Sequence, residues 1–294
     1  LGSQVDVDHN DVVIIGYSAL ANKAESIAIG STADNQGNDA VAIGYAVSVP
    51  DGADQNVTIG HASNTNADSS VALGFSVNID NANAVGVGAE ANVTGDNSVA
   101  LGKSASVTAN NSVAMGKDAS VSAANSMALG YQANVSAANA IYLGNSAITS
   151  IGGVVNWTAT SDGRFKQNVR ENVPGLAFID ALRPVTYTYD TKALNKHQGT
   201  TAPPSDKDKI RYSGFIAQEV ERAAQKTGYD FSGVDKPQHD EDIYGLRYAE
   251  FVVPLVKSVQ ELNAKVQSLE NRLAMQDAQT THYQQLLEEQ GKYP

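Results

Sequence analysis

Ser161 and Lys166 are the residues of this 294-residue chain whose types and spacing best suit a reaction. A serine hydroxyl is a weak nucleophile until a base takes its proton, and a lysine amine whose pKa is lowered by burial can be that base. Between them Asp162 and Gly163 favour a turn that would fold Lys166 back toward Ser161. The pair alone also has an ordinary reading, in which Ser161 caps a helix and Asp162 sits in its first turn. Other chemistries are poorly supplied. Cysteine is absent, which excludes disulfides and thiolate metal sites. His9, His61, His197, His239 and His282 are scattered without ligand spacing. A glycosidase needs two carboxylates facing each other at about 5 to 9.5 Å. Glu90, Asp96 and Asp118 instead fall in the turns of separate repeats, with no insertion to build a cleft. No cofactor and no metal are expected.

The elements that must carry these residues are announced by glycine. Gly16, Gly30, Gly44, Gly60, Gly74, Gly88, Gly102, Gly116, Gly130 and Gly144 fall fourteen residues apart, with one interval of sixteen between Gly44 and Gly60. Such a period marks stacked repeats. The best copies read NSVALGKSASVTA from Asn97, NSVAMGKDASVSA from Asn111 and NSMALGYQANVSA from Asn125. Within one copy Val99 and Leu101 alternate with Ser98 and Ala100, and Ala105 and Val107 alternate with Ser104 and Ser106. Each copy therefore predicts two short strands and two turns, with the glycine where a Cβ would obstruct the bend or the next coil. A copy cannot bury its few apolar side chains alone. Stacking gives parallel ladders and a narrow core built from the Val, Leu, Ile and Ala positions, in which large aromatics would not fit. The sixteen-residue step, across Pro50 and Asp51, is the expected bulge and the first place to look for an exposed, non-structural surface.

Charge divides the chain at the point where the repeats end. Through Thr160 there are three basic and thirteen acidic residues, a balance of −10, leaving −2 of the total −12 for the remainder. An acidic, Arg-free repeat half offers no cationic track for phosphates, so nucleic acid is not an expected partner. No stretch approaches the about 20 apolar residues of a spanning helix, and no cationic, apolar leader precedes Gly2, so membrane insertion by this segment is not expected. Residues 1–10 read as an N-terminal remnant or expression scar. From Val252 the apolar residues Leu255, Val259, Leu262, Val266, Leu269 and Leu273 continue in steps of three and four, a heptad seam. Past Leu273 the seam passes through Gln276, Thr280, Tyr283 and Leu287, polar enough to predict a fraying end.

The recurring NSVALG phrase at this period resembles the head of trimeric autotransporter adhesins of the YadA type. That resemblance implies three chains packing left-handed β-rolls side by side over roughly residues 11–148. The membrane-anchoring barrel that ends such adhesins has a different text in its place here. SDGRFKQNV, the LRPVTYTY strand, GFIAQEVE and GLRY before a long helix resemble the C-terminal intramolecular chaperone domain of phage endosialidases, tail fibres and tailspikes, also found in the myelin regulatory factor. By that resemblance the domain trimerises, templates the preceding β-structure and cuts itself off. Its nucleophile would be Ser161, its basic partner Lys166, and its scissile bond Thr160-Ser161, with Asp162 and Asn168 as possible supports of the geometry.

The expected architecture is a mainly β N-terminal half, a trimeric left-handed parallel β-roll of 14-residue coils, followed by an α+β chaperone domain ending in a coiled-coil helix. The boundaries are 11–150 for the head repeats, 151–160 for a connector, 161–250 for the chaperone and auto-peptidase, and 251–294 for the helix and tail. The implied function is a homotrimeric fibre or adhesin segment, on a virion or a bacterial surface, meeting a host or prey cell-surface receptor of unknown chemistry. Its enzymatic activity would be a single self-cleavage per chain. The competing reading is a tailspike-like glycan-degrading enzyme on the β-roll. Tyr17, Tyr45, Phe75 and Tyr131, each following a repeat glycine, serve either an exposed binding stripe or packing between chains, and packing is the preferred reading.

Overall fold

The computed structural model describes residues 11–199, 206–237 and 242–290; the N-terminal segment 1–10 lies outside them. The chain forms two compact units, the first being the repeats through Val154 with Thr188–Ile210 and Gln238–Asp242. The second comprises Val155–Tyr187, Arg211–Pro237 and the chain from Ile243 onward.

The repeats wind into a parallel β-solenoid. The first strand of every coil joins a ten-stranded sheet and the second strand a nine-stranded sheet, each ordered strictly along the chain. Register follows the repeat: Val99 pairs with Val113, Ala100 with Ala114 and Leu101 with Met115. Two corners per coil are left-handed. They fall on Asn97, Asn111, Asn125 and Asn139, and on Ser104, Asp118 and Gln132, all with φ between 53° and 59°. Asn tolerates this conformation better than most residues, which explains the first letter of the NSVALG phrase.

The glycine column has a steric cause. Gly102 has φ +137°, and a Cβ there would sit 2.5 Å from the carbonyl oxygen of Gly116, one coil on. The same conflict recurs between Gly30 and Gly44 at 2.0 Å and between Gly44 and Gly60 at 1.6 Å. Backbone therefore packs directly on backbone.

Which side chains turn inward in the first strand differs from the hydropathy reading. Ser98 and Ala100 are fully buried, with Ala105 and Val107 facing them, whereas Val99 and Leu101 lie on the outer face. A fourteen-residue coil has room for Ser and Ala against Val, and the larger aliphatics are displaced outward. The buried serines form a ladder. Ser98 Oγ lies 3.0 Å from the Asp96 carbonyl and 2.9 Å from the Ala109 carbonyl, and accepts the Ser112 N–H at 3.1 Å. Ser112 repeats the pattern toward Ser126, and Ser126 toward Ala140. These buried serines thus tie each coil to the next.

The sixteen-residue coil absorbs its extra length in the turn after Val49. Ala53 stays buried, Asp51 and Gly52 are exposed, and Asp51 accepts an ion pair from Lys23 at 2.9 Å. At the far end of the repeats a short helix, Thr191–His197, belongs to the same unit. Asn134 Nδ2 donates to the Gln198 carbonyl at 2.9 Å, and Ser146 Oγ donates to Asn195 Oδ1.

The second unit is α+β. Phe178, Val220, Ala223, Ala224, Phe231 and Phe251 make its core, with Phe231 4.9 Å from Phe178 and 4.8 Å from Phe251 between ring centres. Strand Val185–Tyr187 pairs antiparallel with Tyr212–Gly214, and Val234–Asp235 with Gly245–Leu246. Tyr248 lies over Gly214, where a Cβ would come 2.3 Å from its hydroxyl, and accepts the Phe215 N–H at 3.1 Å. The final helix runs from Val252 to Gln290. It continues past Leu273, where the polar seam predicted fraying, and Thr280 and Thr281 bond back to Gln276 and Asp277 one turn earlier. The heptad seam residues are all exposed in the single chain.

Two stability measurements test this description. Gly102→Ala is expected to lower the unfolding free energy by about 3 kcal/mol or more, because backbone must move. Gly52→Ala, at φ +81° with open space around it, is expected to cost only about 1 to 2 kcal/mol in the same thermal melt. In the second unit Glu221 is held below the usual carboxylate range by Lys236 at 2.7 Å and by the Tyr244 hydroxyl. A depressed carboxylate stabilises the fold above its unfolded pKa, about 4.3, and that contribution is lost as pH falls through the folded value. Glu221→Gln should therefore lower the melting temperature at pH 7 and flatten its decline below about pH 4.5.

Candidate active site

A single turn of 3-10 helix, Gly163–Phe165, brings the two candidate residues together. Asp162 precedes it in extended conformation and accepts the Arg164 N–H at 2.9 Å, so Asp162, not Ser161, is the cap. The Phe165 N–H reaches the Asp162 carbonyl at 3.1 Å and the Lys166 N–H the Gly163 carbonyl at 3.2 Å, which closes the turn. Lys166 then leaves it in extended backbone. Its Nζ donates to Ser161 Oγ at 2.7 Å. The ordinary capping reading of Ser161 is not what the geometry shows, because its hydroxyl faces the amine instead of a backbone donor.

Asp162 is also gripped from the side. Arg164 Nε lies 3.2 and 3.0 Å from its two oxygens and Nη2 lies 2.6 Å from Oδ2. These bonds from the guanidinium, with the backbone bond, hold the Asp162 carboxyl below the usual carboxylate range, and the carboxylate raises Arg164 in turn. Asn168 stands in left-handed conformation at φ 54°, exposed and outside the dyad's hydrogen bonds. Thr160 is exposed as well. The burial expected to activate Lys166 is not present in the single chain, where Lys166 is exposed and residues 163–172 are uncovered. An amine at this distance can exchange a proton with the hydroxyl directly, and a serine so placed is a candidate nucleophile toward an adjacent carbonyl.

On the solenoid the aromatic column is longer than the sequence suggested. His61 follows Gly60 as Tyr45 follows Gly44, and it stacks between Tyr45 at 5.0 Å and Phe75 at 5.1 Å. The repeat position was the signal, obscured by counting aromatics without histidine. The rings of Tyr45, His61 and Phe75 thus turn their faces on one another. Tyr131 is covered by Lys117 at 5.1 Å. The carboxylates have local partners: Glu90 takes a hydrogen bond from Ser104 at 2.9 Å, and Asp118 an ion pair from Lys117 at 2.5 Å. Among the described residues no helix is long and apolar enough to cross a membrane.

Comparison with known proteins places both halves. Residues 161–229 match the family described as chaperone of endosialidase. Stretches 15–33, 59–76, 80–105, 94–119, 108–133 and 122–147 match the YadA head domain repeat. The chain thus carries YadA head repeats followed by a chaperone-of-endosialidase domain. The matched repeats leave out 34–58, which holds most of the sixteen-residue interval from Gly44 to Gly60. Among solved structures, the collagen-binding domain of the Yersinia adhesin YadA is 28% identical, covering 52% of this chain and 90% of that one with a TM-score of 0.44. No curated protein sequence matches the chain.

Proposed function

We propose that this chain is a segment of a homotrimeric fibre or adhesin whose C-terminal domain assembles it and then cleaves itself off between Thr160 and Ser161. The observation that carries the cleavage is the 2.7 Å contact between Lys166 Nζ and Ser161 Oγ, held by a capped turn. In the proposed step Ser161 Oγ attacks the Thr160 carbonyl carbon while Lys166 takes the hydroxyl proton. The Thr160 to Ser161 amide bond breaks, its nitrogen receives a proton from Lys166, and water opens the resulting ester. Ser161 becomes the N-terminus of the released piece.

Assembly into a trimer is supported by uncovered apolar surface on both halves. The outer face of the ten-stranded sheet carries an aliphatic column, exposed or half-exposed, that includes Val13, Ile15, Ile59 and Met115. The long helix carries the exposed seam from Val252 to Leu273. Two further copies of the chain would cover both, and they would supply the desolvation that Lys166 lacks alone. Parallel coils depend on contacts distant in sequence, so a helical seed that fixes register speeds folding. After the seed departs, the product persists by its unfolding barrier. The boundaries 11–150, 151–160, 161–250 and 251–294 are part of this reading. The head then serves attachment to a surface receptor or acts as a fibre shaft, at a virion or bacterial surface.

On denaturing gels the folded wild type should run as two pieces split after Thr160, and Ser161→Ala or Lys166→Ala should leave one band. A wild type that folds and stays whole contradicts the cleavage. Light scattering should return three chains per particle, and a monomer would contradict the assembly.

A further inference from the structure

One coil of the solenoid buries only polar side chains. Its inward residues are Asn56, Thr58, Ser63 and Thr65, at the positions where a later coil holds Ser98, Ala100, Ala105 and Val107. The apolar core is divided there, one cluster ending at Ala53 and the other beginning at Ala72. Strand register sets Thr58 between Ala42 and Ala72. Thr65 pairs with Ile79 on one side, and on the other it meets Val49, since Ser48 pairs with Asn64.

The hydrogen bonds of these buried groups all run one way. The hydroxyls of Thr58 and Thr65 meet at 2.5 Å across the bore. Ser63 Oγ donates to the Gly74 carbonyl at 2.9 Å and accepts the Val77 N–H at 3.1 Å, and Asn56 Oδ1 accepts the Ser70 N–H at 2.8 Å. Each bond thus stays within the coil or reaches the coil that follows. Toward the preceding coil the bore offers Ala42, Val47 and Val49, which have no polar group in their side chains, and Asn56 Nδ2 has no partner among the described residues. Besides the backbone ladders, the directional contacts between these two coils lie outside the bore. They are the Tyr45 and His61 rings, stacked at 5.0 Å, and the Asn38 backbone and side-chain N–H bonds to Asp54 Oδ1 at 2.8 and 3.0 Å.

In a solenoid each coil touches only its neighbours, so stability is a sum of coil terms and coil-to-coil terms. Buried hydroxyls give up hydration that one mutual bond returns only in part, and a buried amide without a partner costs more. An apolar layer laid against such a coil supplies none of the missing bonds. We propose that the plane between Val41–Val49 and Val57–Thr65 is a joint that divides the solenoid into two cooperative blocks. An opening that starts in the earlier coils stops at this plane instead of running through the stack, and the Tyr45 and His61 pair is the clasp that holds the joint closed. The lengthened corner between Pro50 and Gln55 is where the chain crosses from one block to the other. The joint requires neither the cleavage nor the trimer.

The test is native-state hydrogen exchange on the whole chain, read by mass spectrometry of its peptides. Amides of the ladders from Ile27 to Val49 should exchange about tenfold faster than those from Val57 to Leu129, with the step at the corner between Val49 and Asn56. Thr58→Val with Thr65→Val keeps the shape of both side chains and removes both hydroxyls together, so neither is left without its partner. It should reduce the step to less than about threefold. His61→Ala removes the clasp and should widen the step by about fivefold, the size of one aromatic pair.

Equal protection on both sides overturns the proposal, and so does a gradual decline toward residue 11 with no step at the corner, which is the signature of a fraying end. A step that the double valine variant leaves unchanged, or that His61→Ala does not widen, overturns it as well. Should His61→Ala fail to fold, the double valine variant decides alone, since it adds apolar contact to the bore. Light scattering on each chain ensures that the same assembly is compared.

Discussion

Everything in the first half rests on backbone meeting backbone at the glycine column. At Gly30, Gly44 and Gly102 the neighbouring glycine carbonyl occupies the volume a Cβ would need. That approach lets successive coils stack in strict register at the corner that ends the first strand. A coil of only fourteen residues leaves a narrow bore, and the choice of core residues follows: in the later coils Ser98 and Ala100 face Ala105 and Val107, and Ser112 and Ala114 face Ala119 and Val121. A narrow bore in turn expels the larger aliphatics to the outer face. The exposed aliphatic surface, with Val13, Ile15, Ile59 and Met115, is thus a consequence of how little volume one coil encloses.

The second half solves a different problem with ordinary means. Its core is an aromatic cluster around Phe178, Phe231 and Phe251, large side chains in a space that the solenoid does not possess. Two phrases distant in sequence meet there, the Gly214-Phe215 pair and Tyr248, through a hydroxyl that fits only because residue 214 lacks a Cβ. The candidate site sits outside this core on an exposed turn. Such a site gains its geometry from hydrogen bonds within six residues.

Much of this was legible in the sequence, for identifiable reasons. The glycine period gave strand number, parallel order and register, since a strict repeat leaves one way to stack. The heptad from Val252 to Leu273 gave the helix. Ser161 and Lys166 were legible as a pair once Asp162 and Gly163 were read as a turn. The inward face of the first strand was not, because alternation names two faces and hydropathy chose the larger residues, whereas volume chose the smaller. Asp162 displaced Ser161 as cap because the hydroxyl is engaged by Lys166. The burial assigned to Lys166 is not found in the single chain, where residues 163–172 are all exposed. Nor was the packing of Thr191–His197 beside the last coil legible, since its contacts run through Asn134, Ser146 and Asn195, polar residues that look like solvated surface.

The sixteen-residue coil shows where this architecture keeps its freedom. Two residues are added between Pro50 and Gln55, yet the strands on either side stay in register, from Val41 with Val57 to Tyr45 with His61. Length is negotiable at that corner and nowhere along the ladders, where one extra residue would turn every inward side chain outward. Two kinds of change are therefore open to the solenoid. It can grow or shrink by whole coils, each adding about 4.8 Å along the axis, or it can sprout surface at a corner without altering its length. Reach and surface chemistry are for that reason separable: the number of coils sets how far the solenoid extends, and the corner loops alter what it displays along the way.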